Sequence, residues 1–231
     1  MQVNTDRNMA SKLFLYWGSG SGPCWRVMIA LEEKGLSGYG NKLISFDKGE
    51  TKLEKILKLN PRGEVPTLKH GDTVINESMA CILYIQGEFR DQGTNLLPCK
   101  GDLATKALIL QKMLEVNNLQ AAFYGVMLDV WDNKPVLESQ KENLRTELKR
   151  WDDYLKESGG DYIAGPGFSL ADCSLFPWVA FLPRQGLDLS KNLPNLAKYY
   201  NKLKDRPSIQ ASWPPHFKDT PNQDNLAKLY D

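Results

Sequence analysis

The chain has 231 residues, 42% of them hydrophobic and 25% charged, enough for one large packed domain or two small ones. Its 29 basic and 28 acidic residues leave a net charge of +1, which gives no electrostatic reason to expect nucleic acid or an anionic membrane. No apolar run reaches the ~18 residues of a spanning helix. Two histidines and four widely spaced cysteines without a C-x-x-C pair offer no zinc pattern, so no metal is expected.

The N-terminal MQVNTDRNMASK lacks a signal-peptide core and reads as a frayed polar tail. Free thiols without an export signal point to the cytosol. LFLYW (13–17) is a short run of strand formers, followed by the loop GSGSGP. Pro23 sits where a helix starts, Cys24 to Lys34 carries apolar residues at helical spacing, and Gly35 closes it. NKLISF (41–46) is a second strand, and DKGETKLEKILKLNP is a charged loop holding a short helix. VPTLK and TVINE are strands joined by the HGD turn, and SMACILYIQGEF is the next helix. The order strand, helix, strand, helix, strand, strand, helix predicts a small α/β layer with a mixed sheet.

Arg90 to Lys100 is a polar break. Beyond Gly101, helical patterns fit 101–133, 136–158, 169–184 and 193–204, with no strand pattern. The tail from Pro207, with Pro214-Pro215, reads as irregular structure on the surface. The expected division is an α/β domain over 1–90 and an all-helical domain over 101–231.

Two joints between Asn60 and Ile85 suggest a binding site. Val65-Pro66 opens a strand with a residue that has no N–H to give a ladder. The Val65 backbone can instead pair with an extended ligand. Asn76-Glu77-Ser78 opens a helix, whose unpaired N–H groups and partial positive charge suit a carboxylate. A polar helix start also serves simply to satisfy the backbone.

These features resemble the cytosolic glutathione transferases, with a thioredoxin-like N-terminal domain (βαβαββα) and a C-terminal helical bundle. Val65-Pro66 resembles the cis-proline joint of that fold. Glu77-Ser78 with Ala80 and Tyr84 resembles the E-S-x-A-x-x-x-Y signature, and GFSLADCSLFP (167–177) the motif that starts the central C-terminal helix. SWPPHF and NPRGEVPT are most similar to the rho class of aquatic animals. In the 167–177 motif, Ser169 and Asp172 stand at capping-box spacing with Phe168 placed to staple, which is folding machinery.

The resemblance implies conjugation of the thiolate of reduced glutathione, a co-substrate with no further cofactor, to small hydrophobic electrophiles. A thiol of pKa about 8.5 is only about 3% ionised at pH 7; lowering it to about 6.5 makes roughly three quarters thiolate. The less basic sulfur is about eightfold less nucleophilic, so most of the acceleration must come from holding the reactants together. The site therefore needs a hydroxyl donor to sulfur, a helix N-terminus and an apolar pocket.

Ser21, two residues before Pro23, matches the S-x-P-C serine of theta- and delta-type enzymes and is the candidate donor. Ser19 is the rival and Tyr16 the third choice, while GSGSG also reads as a plain flexible turn. Gly18 and Gly20 begin a dinucleotide loop, but Pro23 stands where its third glycine is required. By position the glutathione site takes Lys52, Glu64, Val65, Glu77 and Ser78. Glu64 replaces a Gln or Lys, and Met79 an Arg, that relatives often carry. Tyr124 and Met127, in an apolar run with Phe123 and Trp131, are proposed to line the electrophile pocket. The resemblance also implies a homodimer. Two alternatives stay open: a ligand carrier with little turnover, and a glutathione-dependent reductase using Cys24.

Overall fold

The computed structural model describes residues 12–98, 103–159 and 161–231. The polar segment through Ser11, Cys99, and the first two residues of the helix expected from Gly101 lie outside the described residues. Two compact units form, one of residues up to Leu96 with Pro207–Asp219, the other of Leu97–Arg206 with Thr220–Asp231. The segment 207–219, expected in the helical domain, thus lies in the first unit.

In the first unit, β1 (Leu13–Trp17) is followed by α1 (Gly22–Glu33), β2 (Gly40–Leu43), a 3-10 turn (Glu50–Lys52) and α2 (Glu54–Leu57). Then come β3 (Thr67–His70), β4 (Thr73–Asn76) and α3 (Ser78–Glu88). The sheet order is β2-β1-β3-β4, with β1 parallel to β2 and antiparallel to β3, and β3 antiparallel to β4. This is the thioredoxin-like arrangement. Alternation decides the faces: Leu13, Leu15 and Leu68 are buried with Val27, Ile29 and Ile82, while the Phe14 and Tyr16 rings meet, tilted, on the opposite face at 4.9 Å. Each such buried aliphatic side chain contributes about 1.5–3 kcal/mol. β2 is shorter than expected. Ile44 N–H still bonds Trp17 C=O at 2.8 Å, but the Glu50 carboxylate then accepts Ser45 N–H at 2.9 Å and turns the chain.

The tail expected to be irregular holds two short helices, α9 (Pro207–Ala211) and α10 (Pro215–Asp219). Pro207 and Pro215 each open a helix, a position where the missing N–H costs nothing. This strap is clipped along α1. The Trp25 indole N–H donates to Ser212 Oγ at 3.1 Å, Ser208 Oγ donates to the buried Glu33 carboxylate, and the Trp25 ring meets Trp213 edge-on at 5.1 Å.

The second unit is helical: α4 (Leu103–Trp131), α5 (Glu138–Glu157), α6 (Leu170–Arg184), α7 (Leu189–Asn192) and α8 (Pro194–Leu203). Among the described residues every strand precedes Ser78. The core is built on α6, which is buried along nearly its whole length; Phe123 of α4 stacks on Phe181 at 5.7 Å. At the start of α6 the Asp172 carboxylate accepts Ser169 N–H and Ser169 O–H, each at 2.9 Å, and Ile163 N–H at 3.0 Å. The expected capping pair is therefore present with the serine hydroxyl as donor. A second buried carboxylate, Asp152 of α5, accepts the backbone N–H groups of Asn195 and Leu196 and so caps α8.

Candidate active site

The sheet register gathers the site. β1 runs antiparallel to β3 with Tyr16 opposite Thr67, and β3 to β4 with Thr67 opposite Asn76. The loop leaving β1 (18–21), the joint entering β3 (Val65-Pro66) and the exit from β4 into α3 (Glu77-Ser78) therefore lie at one end of the sheet. The Ile44 bond to Trp17 brings the chain leaving β2 to that same end.

Ser21 is the N-cap of α1, at φ −80° and ψ 114°, and its Oγ accepts Cys24 N–H at 3.3 Å. A hydroxyl that accepts still has one proton to give. The side chain is half-buried at a helix end carrying partial positive charge. Sequence spacing made Ser21 the candidate donor, and the structure adds that it caps the helix.

Cys24 is 0% exposed, and Gly18 N–H reaches its sulfur at 3.4 Å. Burial pushes its thiol up to about 11, against the lowering pull of hydrogen bonds from Ser21 and Gly18. Such a thiol is neither ionised nor accessible near neutral pH. Ser19 Oγ lies 2.6 Å from His216 Nδ1. Tyr16 points to the sheet face it shares with Phe14.

The Val65-Pro66 peptide bond is cis. The approach to it is held from several sides: Asn60 Nδ2 and Thr67 Oγ1 both donate to Glu64 C=O, at 2.9 and 3.3 Å, and Asn76 Nδ2 donates to Leu59 C=O at 3.1 Å. Among the described residues neither main-chain group of Val65 has a hydrogen-bond partner. A pair of aligned backbone groups is thus presented on a braced loop, the geometry an extended peptide needs. The Glu64 side chain is exposed. Lys52 Nζ donates to Arg62 C=O at 2.8 Å and Gly63 C=O at 3.1 Å, so it braces the same loop and has a third donor for an anion. Gly63 sits at φ +61°, a conformation that favours glycine, and a Cβ there would come within 2.8 Å of Lys52 Cδ and push that side chain aside.

At the third corner Glu77 has φ 71° and ψ 115°, outside the ordinary regions for an L-residue. It precedes the first turn of α3, where Ser78 is buried and accepts from Arg26 Nη1 at 3.2 Å. Arg26 and His216 were not identified from sequence. An arginine amid the apolar run of α1 was a usable signal for the first. His216 lies within the SWPPHF motif, but nothing in that motif shows its contact with Ser19, which depends on the strap.

Tyr124, in the second unit, is half-buried and meets the Trp178 ring edge-on at 5.3 Å. Met127, expected as a second lining residue, is 0% exposed: its thioether fills the core of that unit. Among the described residues no group of three or more His, Cys, Asp or Glu is placed to hold a metal ion, and no helix is long and apolar enough to cross a membrane.

Comparison with known proteins identifies the family. Residues 21–87 match the glutathione S-transferase N-terminal domain and 130–212 the C-terminal domain. The chain is 45% identical over 227 residues to glutathione S-transferase A of Pleuronectes platessa, covering 95% of this chain and 99% of that one. It is similar to the crystal structure of a glutathione S-transferase from the Antarctic clam Laternula elliptica, with TM-score 0.86, 40% identity, and 95% and 100% of the two chains covered. A glutathione transferase homologue from Sulfitobacter, solved with bound glutathione, aligns with TM-score 0.72 at 25% identity over 87% of this chain and 96% of its own.

Proposed function

We propose that this chain, which belongs to the glutathione S-transferase family and conjugates glutathione, does so as a serine-type enzyme with Ser21 as the donor to the thiolate. The observation that carries this reading is the position of the Ser21 hydroxyl. It caps α1 at the end of the sheet where the Val65 backbone and the start of α3 also lie. Glutathione then pairs in extended form with Val65. Its γ-glutamyl carboxylate lies at Ser78 and the first turn of α3, and its ammonium meets Glu77. The glycine carboxylate meets the third donor of Lys52, and exposed Glu64 turns to solvent or to the ammonium.

The bound thiolate adds to a small hydrophobic electrophile. Serine stabilisation of the sulfur supplies the ionised fraction, and positioning supplies most of the rate. The SWPPHF and NPRGEVPT motifs support a rho-class assignment. A cytoplasmic homodimer acting in detoxification fits the family.

The test is turnover of an aryl halide, an epoxide and a peroxide with glutathione, in wild type and in Ser21→Ala. A fall of about a hundredfold in kcat with glutathione affinity retained supports Ser21 as donor. Full activity in Ser21→Ala rejects it. Activity that survives Ser21→Ala and disappears in Cys24→Ala identifies a reductase instead.

A further inference from the structure

The thiol proton must leave when bound glutathione ionises, and Ser21 has no base behind it. Its oxygen already accepts Cys24 N–H, and the neighbouring thiol is buried and protonated. Ser19 is different. Its Oγ lies 2.6 Å from Nδ1 of His216, a residue 197 positions away. We infer that Ser19 and His216 form a proton relay that takes the proton from the glutathione thiol, while Ser21 holds the resulting thiolate.

This inference rests on the Ser21 reading above and deepens it. With the imidazole proton on Nε2, Nδ1 accepts the Ser19 O–H and leaves the serine lone pairs open. The thiol S–H bond breaks as its proton goes to Ser19 Oγ, and the Ser19 O–H proton passes to Nδ1. The products are a thiolate and an imidazolium. His216 is exposed, so the imidazolium returns its proton to water through Nε2 and the pair is reset.

The ring is seated by construction. The strap carrying it is clipped to α1 through Trp25–Ser212 and Ser208–Glu33, and His216 meets the Phe217 ring edge-on at 4.6 Å. Phe217 in turn contacts the Trp25 ring at 6.2 Å. Beneath the imidazole is Gly20, at φ +77°, where a Cβ would stand 2.5 Å from His216 Cε1. Any other residue there would displace the ring. The charged groups of the ring's own helix are Lys218 and Asp219. The loop 18–21 and the opening turn Gly22-Pro23-Cys24-Trp25 carry no ionised group, and Arg26 is buried against Ser78.

His216 acts through Ser19, so it is a positioning residue, and the test must separate proton uptake from support of the strap. His216→Gln keeps an acceptor for the Ser19 hydroxyl but cannot take up its proton. Thiolate formation by bound glutathione, read by ultraviolet absorbance against pH, and the pH profile of kcat/KM are compared in wild type, His216→Gln, Ser19→Ala and the double variant. Each single change is expected to lower kcat/KM near neutral pH by about tenfold. It should shift thiolate formation to higher pH and leave glutathione affinity within about twofold. The double variant should lose no more than either single one, as expected of groups acting in one chain. Added imidazole should restore activity to His216→Ala.

Unchanged pH profiles in both single variants, with Ser21→Ala inactive, overturn the relay and leave the Ser21 reading standing. Multiplying effects in the double variant also overturn it. A wild type that neither binds nor turns over glutathione removes both. If His216→Gln does not fold, Ser19→Ala carries the same comparison.

Discussion

Arg26 Nη1 donates to Ser78 Oγ at 3.2 Å, with the arginine only 1% exposed. The bond ties the helix that begins at Ser21 to the helix start proposed to receive the ligand's carboxylate, so one buried side chain sets the spacing of both. Arg26→Ala is expected to destabilise the fold by about 3 kcal/mol, because the groups it contacts lose a charged donor in a dry setting. Steady-state kinetics should show the KM for glutathione rising more than kcat falls. A variant that unfolds at the wild-type urea midpoint contradicts this role.

The observed capping task of Ser21 and its proposed donor task can be separated. Ser21→Ala removes the cap and the donor, so it should lose about 1 kcal/mol of stability along with its activity. Ser21→Asp retains a good cap for the N–H groups of α1 but offers sulfur a negative charge in place of a proton. Its thermal midpoint should stay near wild type while turnover falls at least as far as in Ser21→Ala. If the aspartate variant is active, the hydroxyl is not the donor.

Cys24 should be inert in the folded protein. With no exposed surface and a thiol pushed up to about 11 by burial, it presents almost no thiolate at neutral pH. Peptide-resolved mass spectrometry after iodoacetamide treatment should find Cys24 unmodified in the native state and modified in denaturant. Cys24→Ala should keep glutathione conjugation within a few-fold of wild type. Rapid native alkylation at Cys24 would reopen the reductase reading.

The local structure at the corners of the proposed site was legible because its signals are local. A proline at a strand mouth marked Val65-Pro66, and a serine two residues before a helix proline marked Ser21. The spacing of Ser169 and Asp172 marked the α6 start, although not that the hydroxyl donates. His216 and the strap were not legible. A contact between residues 197 apart has no periodic or turn signature, and Pro207 and Pro215 read as breakers when in fact each opens a helix. Arg26 lay between these cases, since its burial depends on a partner in another helix. Met127 shows the reverse limit: an apolar run on a helix does not tell which of its side chains meets a ligand and which the core.

Asp172 gives stability a pH dependence of definite sign. Burial raises its carboxyl from 3.8 to about 6, against the lowering bonds from Ile163, Ser169 and Tyr199. Below about pH 4 both folded and unfolded chains carry the proton. From there to about pH 6 the folded protein holds a proton that the unfolded chain has lost, so this group's stabilising contribution falls as pH rises through the window. The loss is on the order of 2–3 kcal/mol. Asp172→Asn, less stable overall because it accepts fewer of those bonds, should unfold in urea with a midpoint that no longer declines across this range. A decline that persists in the variant assigns the effect to another group.

Glu77 tests whether the site stores backbone strain. Its φ of 71° with ψ of 115° is a conformation that costs an ordinary residue about 1–3 kcal/mol. Glycine removes that cost but adds up to about 1 kcal/mol of unfolded-state entropy. Glu77→Gly should therefore be at least as stable as wild type to within about 1 kcal/mol, and more stable than Glu77→Ala, which keeps the strain. Both variants lose the carboxylate assigned to the ligand's ammonium, so both should bind glutathione roughly tenfold more weakly by calorimetry, in line with one charge-assisted hydrogen bond. An alanine variant more stable than the glycine one would remove the strain argument. Unchanged affinity in both would remove Glu77 from the binding site while leaving Val65 and Ser78 in place.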